Sequence, residues 1–103
     1  MVKNINGPLR AIDLVSNPFA TMTIKELQDY ILTLDRDSMY LLEAPMTKAA
    51  QLGLPGNVRY MIHVYSYSST LKLLMAYPLD GVIRPHRMFT LSGAAGWSEW
   101  IEC

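Results

Sequence analysis

The residues of this chain with most chemistry to offer are two histidines, His63 and His86, one cysteine, Cys103, and the carboxylate pairs Asp35/Asp37 and Glu99/Glu102. A metal site would need both histidines and a carboxylate brought together by the fold. His63 instead stands beside Tyr65 in an alternating strand pattern, and His86 in the arginine-rich run Arg84-Pro85-His86-Arg87. Cys103 is the only cysteine, which rules out an internal disulfide and a Cys-rich zinc site. Ser66, Ser68 and Ser69 fall in a turn, with no Gly-x-Ser-x-Gly elbow and no histidine spaced to activate them. Acid–base work by the carboxylate pairs would need perturbed surroundings, which turn and terminal positions seldom supply. Gly53-x-x-Gly56 lacks the Lys-Ser/Thr that completes a phosphate loop and reads as a turn. The chain is therefore expected to be no enzyme and to carry no metal or cofactor.

Binding chemistry is the better prospect. Arg84, His86 and Arg87 could take an anionic group such as a sugar acid through bidentate hydrogen bonds, or could simply protect a strand edge by charge. Tyr40, Tyr60 and Tyr77 read as core and cross-strand packing, whereas Tyr65 and Tyr67, near a hairpin tip, read as contact residues. Trp97 and Trp100 are three apart, so on a regular strand they face opposite sides. One would then fill the core and the other lie on an exposed or subunit-facing surface. The candidate glycan or subunit contacts are thus Tyr65, Tyr67, Arg84, His86, Arg87, Trp97 and Trp100.

The elements that must position these residues have local signatures. Thr23-Ile24-Lys25-Glu26 matches a capping box, with Met22 and Leu27 at the staple positions. Ile24, Leu27, Tyr30, Ile31 and Leu34 recur at helical spacing, predicting one helix that ends near Leu34. Ser38-Met39-Tyr40-Leu41-Leu42-Glu43-Ala44 is strand-like and stopped by Pro45. Residues 47–57 are mainly loop, with one possible helical turn over 47–52. A strand follows over 58–67, with Val58, Tyr60, Ile62 and Val64 on one face and Arg59, Met61, His63 and Tyr65 on the other. Residues 70–77 return as its hairpin partner, and Leu79-Asp80-Gly81 turns into a last run over 82–91, where Pro85 implies an edge or a bulge. The expected fold class is α+β, mainly β: a short N-terminal helix plus an antiparallel meander of about five strands.

Residues 1–21 mix Asn, Gly and Pro with Leu9, Ile12, Leu14, Val15 and Phe19. So many large apolar side chains would not be carried by a solvated tail. This stretch reads as an extended docking arm lying against its own domain or a partner, before a single domain over residues 22–103. At 103 residues one domain buries somewhat over ~60 % of its unfolded surface, enough for a core without staples. Half the chain is apolar and only 17 % is charged, against roughly 25 % for an average domain, so part of the apolar surface is expected to meet another subunit. Nine basic and nine acidic residues cancel, which removes the electrostatic footprint of a nucleic-acid or anionic-membrane binder. No signal-peptide pattern and no long apolar run is visible, so synthesis in a cytoplasm is expected.

Taken in order, these features resemble the pyocin-knob type of module found in tail fibres of contractile phages and R-type pyocins. The likeness runs from Thr33-Leu34-Asp35 into Met39-Tyr40-Leu41-Leu42, through Ala49-Ala50 and Leu54-Pro55, to Tyr60-Met61-Ile62-His63-Val64 and Lys72-Leu73-Leu74-Met75-Ala76-Tyr77. It closes on Arg87-Met88-Phe89-Thr90-Leu91 and Trp97-Ser98-Glu99-Trp100, covering about residues 33–102. Thr90 and Leu91 stand where the family usually carries an Arg. The resemblance implies a non-enzymatic virion module, made in the host cytoplasm, that forms a homotrimer, docks on other virion proteins in a tail fibre, neck or capsid decoration, and contacts host surface polysaccharide. The alternative is a phage-encoded intracellular protein that binds a host factor; a glycan-active enzyme is the weaker third reading.

Overall fold

The computed structural model describes residues 10–16, 18–79, 82–91 and 96–103. Their alternation of inward and outward side chains builds one six-stranded sheet whose spatial order is the chain order: β1 (Arg10–Asp13), β2 (Ser38–Ala44), β3 (Tyr60–Ser66), β4 (Lys72–Pro78), β5 (His86–Phe89) and β6 (Ile101–Glu102). β2 to β6 pair antiparallel, as the short turns between apolar runs predict. β1 alone is parallel, to β2. The fold is mostly β with two helices, α1 (Ile24–Ile31) and α2 (Met46–Gln51).

Both helices lie on one face of the sheet. Tyr40 and Leu42 of β2, Tyr60 and Ile62 of β3 and Leu74 of β4 pack there with Leu27 and Ile31, one turn apart on α1. The sheet residues are on one face because their paired positions alternate with period two: Leu42 stands opposite Ile62, and Ile62 opposite Ala76.

Each helix is ended by its own residues. The Thr23 hydroxyl accepts from the Glu26 N–H at 3.2 Å, and the Glu26 carboxylate accepts from the Thr23 N–H at 3.0 Å, completing the capping box. Those bonds hold the Glu26 carboxyl below its usual pKa, the backbone bond to Thr23 being the first cause. A carboxyl depressed in the folded state contributes stability above its unfolded pKa and loses it as pH falls through the folded one. Glu26→Gln is therefore expected to be less stable than the wild type at pH 7, with the gap closing as pH falls from the ordinary glutamate range through the lowered folded value. Urea unfolding across pH reads this, and a gap independent of pH would contradict it.

α2 ends in a Schellman motif: Leu54 N–H donates to Ala49 O and Gly53 N–H to Ala50 O, both at 3.0 Å, with Gly53 at φ +89°. Gly56, at φ +91°, turns the chain toward β3, and a Cβ there would run into Ile83 Cδ1. Gly56→Ala is expected to cost about 2 kcal/mol from left-handed strain and that collision. A loss under about 0.5 kcal/mol in chemical denaturation would show that the turn relaxes freely.

Three expectations change. The stretch read as a docking arm becomes, from Arg10 onward, an integral strand and its exit. Ile12 packs on the core, Leu14 is wholly buried in it, and Phe19 meets Tyr30 edge-on at 5.0 Å. The surface under these residues is their own domain, and only Val15 among the described members is strongly exposed; Leu9 lies outside the described residues. Tyr77 packs across the strands as expected, opposite Met61 and edge-on to His63, but on the face away from the core. Pro85 marks no edge: it precedes β5, which lies between β4 and β6, and its carbonyl accepts from the Cys103 N–H at 2.9 Å.

Candidate functional site: the open face of the sheet

The strands are apolar at both parities, yet the helices cover one face only. The other face carries three rows of paired side chains. Met39, Tyr65, Leu73 and Phe89 form the first; Ala11, Leu41, His63, Met75, Arg87 and Ile101 the second; Asp13, Glu43, Met61 and Tyr77 the third. None of these belongs to the core cluster or packs against it. The centre is aliphatic, methionine-rich and aromatic. His63 sits within it, its Nδ1 3.4 Å from the Tyr65 hydroxyl and its ring edge-on to Tyr77 at 5.2 Å.

Charge on this face lies toward its margins, with Arg59 just before β3. Asp13 and Glu43 stand on β1 and β2, beside a cleft of about 360 Å³ that Arg59 and Met61 also line. Asp13 is oriented by the Val15 N–H at 3.0 Å and the Ser16 hydroxyl at 3.1 Å. Arg87 stands on the opposite flank, on β5, its guanidinium 5.9 Å from the Phe89 ring centroid.

The residues singled out from sequence scatter. Tyr65 and Arg87 belong to the open face, and Tyr67 is exposed at the hairpin tip. Arg84, His86 and Arg87 do not converge. His86 turns inward, 8 % exposed, with Nδ1 2.9 Å from Arg84 O, while its neighbour Arg87 faces the other way, as successive strand residues must. Arg84 lies on the surface near Glu102 at 3.7 Å. Trp97 and Trp100 both turn toward the core instead of to opposite sides. The cause is a break between them: the Ser98 hydroxyl accepts the Phe89 N–H at 3.0 Å and interrupts the ladder, so alternation restarts before Ile101. Trp100 Nε1 then donates to Leu52 O at 2.9 Å, satisfying a carbonyl at the end of α2.

Two buried lysines went unnoticed in the sequence. Lys48 Nζ donates to the carbonyls of Phe19 (2.8 Å), Ala20 (3.2 Å) and Met22 (3.0 Å). Lys72 Nζ donates to Ser66 Oγ at 2.6 Å and to Leu34 O at 3.1 Å. Burial lowers both lysine pKa values, opposed by Glu26 at Lys48 and by Asp35 at Lys72. Ser66 and Lys72 have the residue types of a nucleophile–base pair but not its arrangement. Ser66 is 1 % exposed, and its hydroxyl points at Leu34 O, 3.4 Å away, so it offers no proton to Lys72 and no approach to substrate.

Among the described residues no group of three His, Cys, Asp or Glu could share a metal ion, and no helix is long and apolar enough to cross a membrane. No family model, curated protein or solved structure matches the chain.

Proposed function

We propose that the protein is a small structural and docking module, without catalysis of its own, that works through the open face of its sheet. The single observation carrying this is the pairing of Met39, Leu41, Met61, Leu73, Met75 and Phe89 on a face that neither helix covers. Apolar surface of this kind on a small domain marks an interaction site. The low charge content and the resemblance to phage knob modules support a virion setting, in which the module associates with copies of itself and with other virion proteins. Contact with host polysaccharide would fall to the exposed Tyr67 and the surface Arg84.

Quantitative mass spectrometry of gradient-purified particles tests the setting. Stoichiometric recovery of the chain in particles is the expected result. Recovery only in the soluble fraction of producing cells would overturn it and favour the second reading, an intracellular binder of a host factor. Methionines at the centre of the face suit that second reading too, since flexible thioethers repack against different partners.

A further inference from the structure

We infer that the open face is covered by a second copy of this chain, packed sheet on sheet as an isologous pair whose two-fold axis runs along the strands. The inference rests on reading the chain as a self-associating module, and it names the partner and the geometry. The charges select the axis. Asp13 and Glu43 occupy one flank and Arg87 the other, with aliphatic, methionine and aromatic side chains and His63 in the rows between them. Rotation about an axis along the strands exchanges the flanks, so β2 of one copy lies over β5 of the other and each carboxylate flank meets an arginine. Rotation about an axis across the strands would instead lay Glu43 over the Met39 end of the same strand, burying a carboxylate on a thioether.

The register of the pair follows. Glu43 is one row beyond the row of Arg87, a step of about 6.8 Å along a strand, which an arginine side chain and the roughly −30° crossing of packed sheets together span. The cleft of about 360 Å³ between Asp13, Glu43 and Met61 receives the partner's guanidinium. Arg59 lines the same cleft but leaves the flank net acidic, with two carboxylates against one cation. At the centre, β3 of one copy faces β4 of the other, placing His63 against Met75 and Tyr65 against Leu73 across the roughly 10 Å that separates packed sheets. Three strands of seven residues, β2 to β4, and two of four, β1 and β5, present roughly 470 Å² of flat sheet per copy, so the pair sits near the ~1,000 Å² threshold of a specific interface and dissociates on dilution.

Sedimentation equilibrium of the full chain between about 1 and 500 μM tests the pair. The expected result is a reversible monomer–dimer equilibrium. Met75→Glu, whose new carboxylate points outward from the face, is expected to abolish dimerisation while circular dichroism stays native. Glu43→Arg and Arg87→Glu are each expected to weaken the dimer about 10-fold or more, and the double reversal to recover most of that loss. A monomer at every concentration, a three-chain species, a dimer untouched by Met75→Glu, or a double reversal no better than the singles overturns the inference. Particle incorporation is read separately, so a monomeric virion protein would sink the pair and the self-association with it, and leave the virion setting standing.

Discussion

Lys48→Met is expected to lower unfolding free energy by about 2–3 kcal/mol, a large part of what a domain of this size possesses. The ammonium is the shared donor for the carbonyls of Phe19, Ala20 and Met22, which line the approach to α1. Methionine keeps most of the side-chain volume and removes all three bonds, leaving their acceptors in a part-buried site. Part of that loss is offset, because burying the charge is itself unfavourable, as the lowered pKa of Lys48 shows. The sign of that offset is testable. Between the lowered folded value and the ordinary ~10.4, the unfolded chain holds more protons, so raising pH through this window stabilises the wild type relative to the variant. Urea denaturation of both proteins at neutral and alkaline pH reads each effect. A neutral-pH loss under about 1 kcal/mol would mean that water replaces the ammonium without difficulty.

Lys72→Met should follow at about 2 kcal/mol, because it strips a charged donor from Leu34 O and Ser66 Oγ at the exit of α1. Ser66→Ala should cost less, since Lys72 keeps its bond to Leu34 O, and the double variant should lose less than the sum. Strict additivity in the cycle would break the account of one shared network. The same pair separates structure from catalysis: a serine-directed fluorophosphonate is expected to leave Ser66 unmodified in the folded protein. Labelling at Ser66 would show that the site opens to reagents and would return nucleophilic chemistry to consideration.

The two lysines also mark where sequence reading stops. β2 and β3 were legible because their alternation is local, and α1 because a capping box and a helical stripe name its start and its buried side. α2 was visible as a helical turn, and its end lies in two glycines. Lys72 shares parity with Leu74 and Ala76, and Lys48 stands one helical turn before Leu52; these spacings are the only signal that either points inward. Charge argues the opposite way, and the carbonyls that make burial tolerable come from remote segments. β1 was missed for a similar reason. Four residues between Asn6-Gly7-Pro8 and Asn17-Pro18 resemble a loose arm, and a parallel partner beyond a whole helix leaves no hairpin turn to announce it. Tyr77 was misplaced because its face depends on register across the hairpin, and the two tryptophans because a serine hydroxyl resets alternation between them. The open face was half legible: strands apolar at both parities ask for cover on both sides, and one short helix layer supplies it only once.

Sheet order that equals chain order has a consequence in time. From β2 to β5 each strand meets its neighbour through a local connection, so the meander can form by successive short closures starting from the β3–β4 hairpin. β1 has no such route: it must wait until α1 has packed and carried β2 into place, because its partner lies across the entire crossover. Its docking follows the closing of the meander, and hydrogen exchange should begin at Ala11 and Ile12 long before it reaches Ile62 or Leu74. β1, an edge strand with no hairpin to bring it in, joins the sheet after the meander and leaves before it.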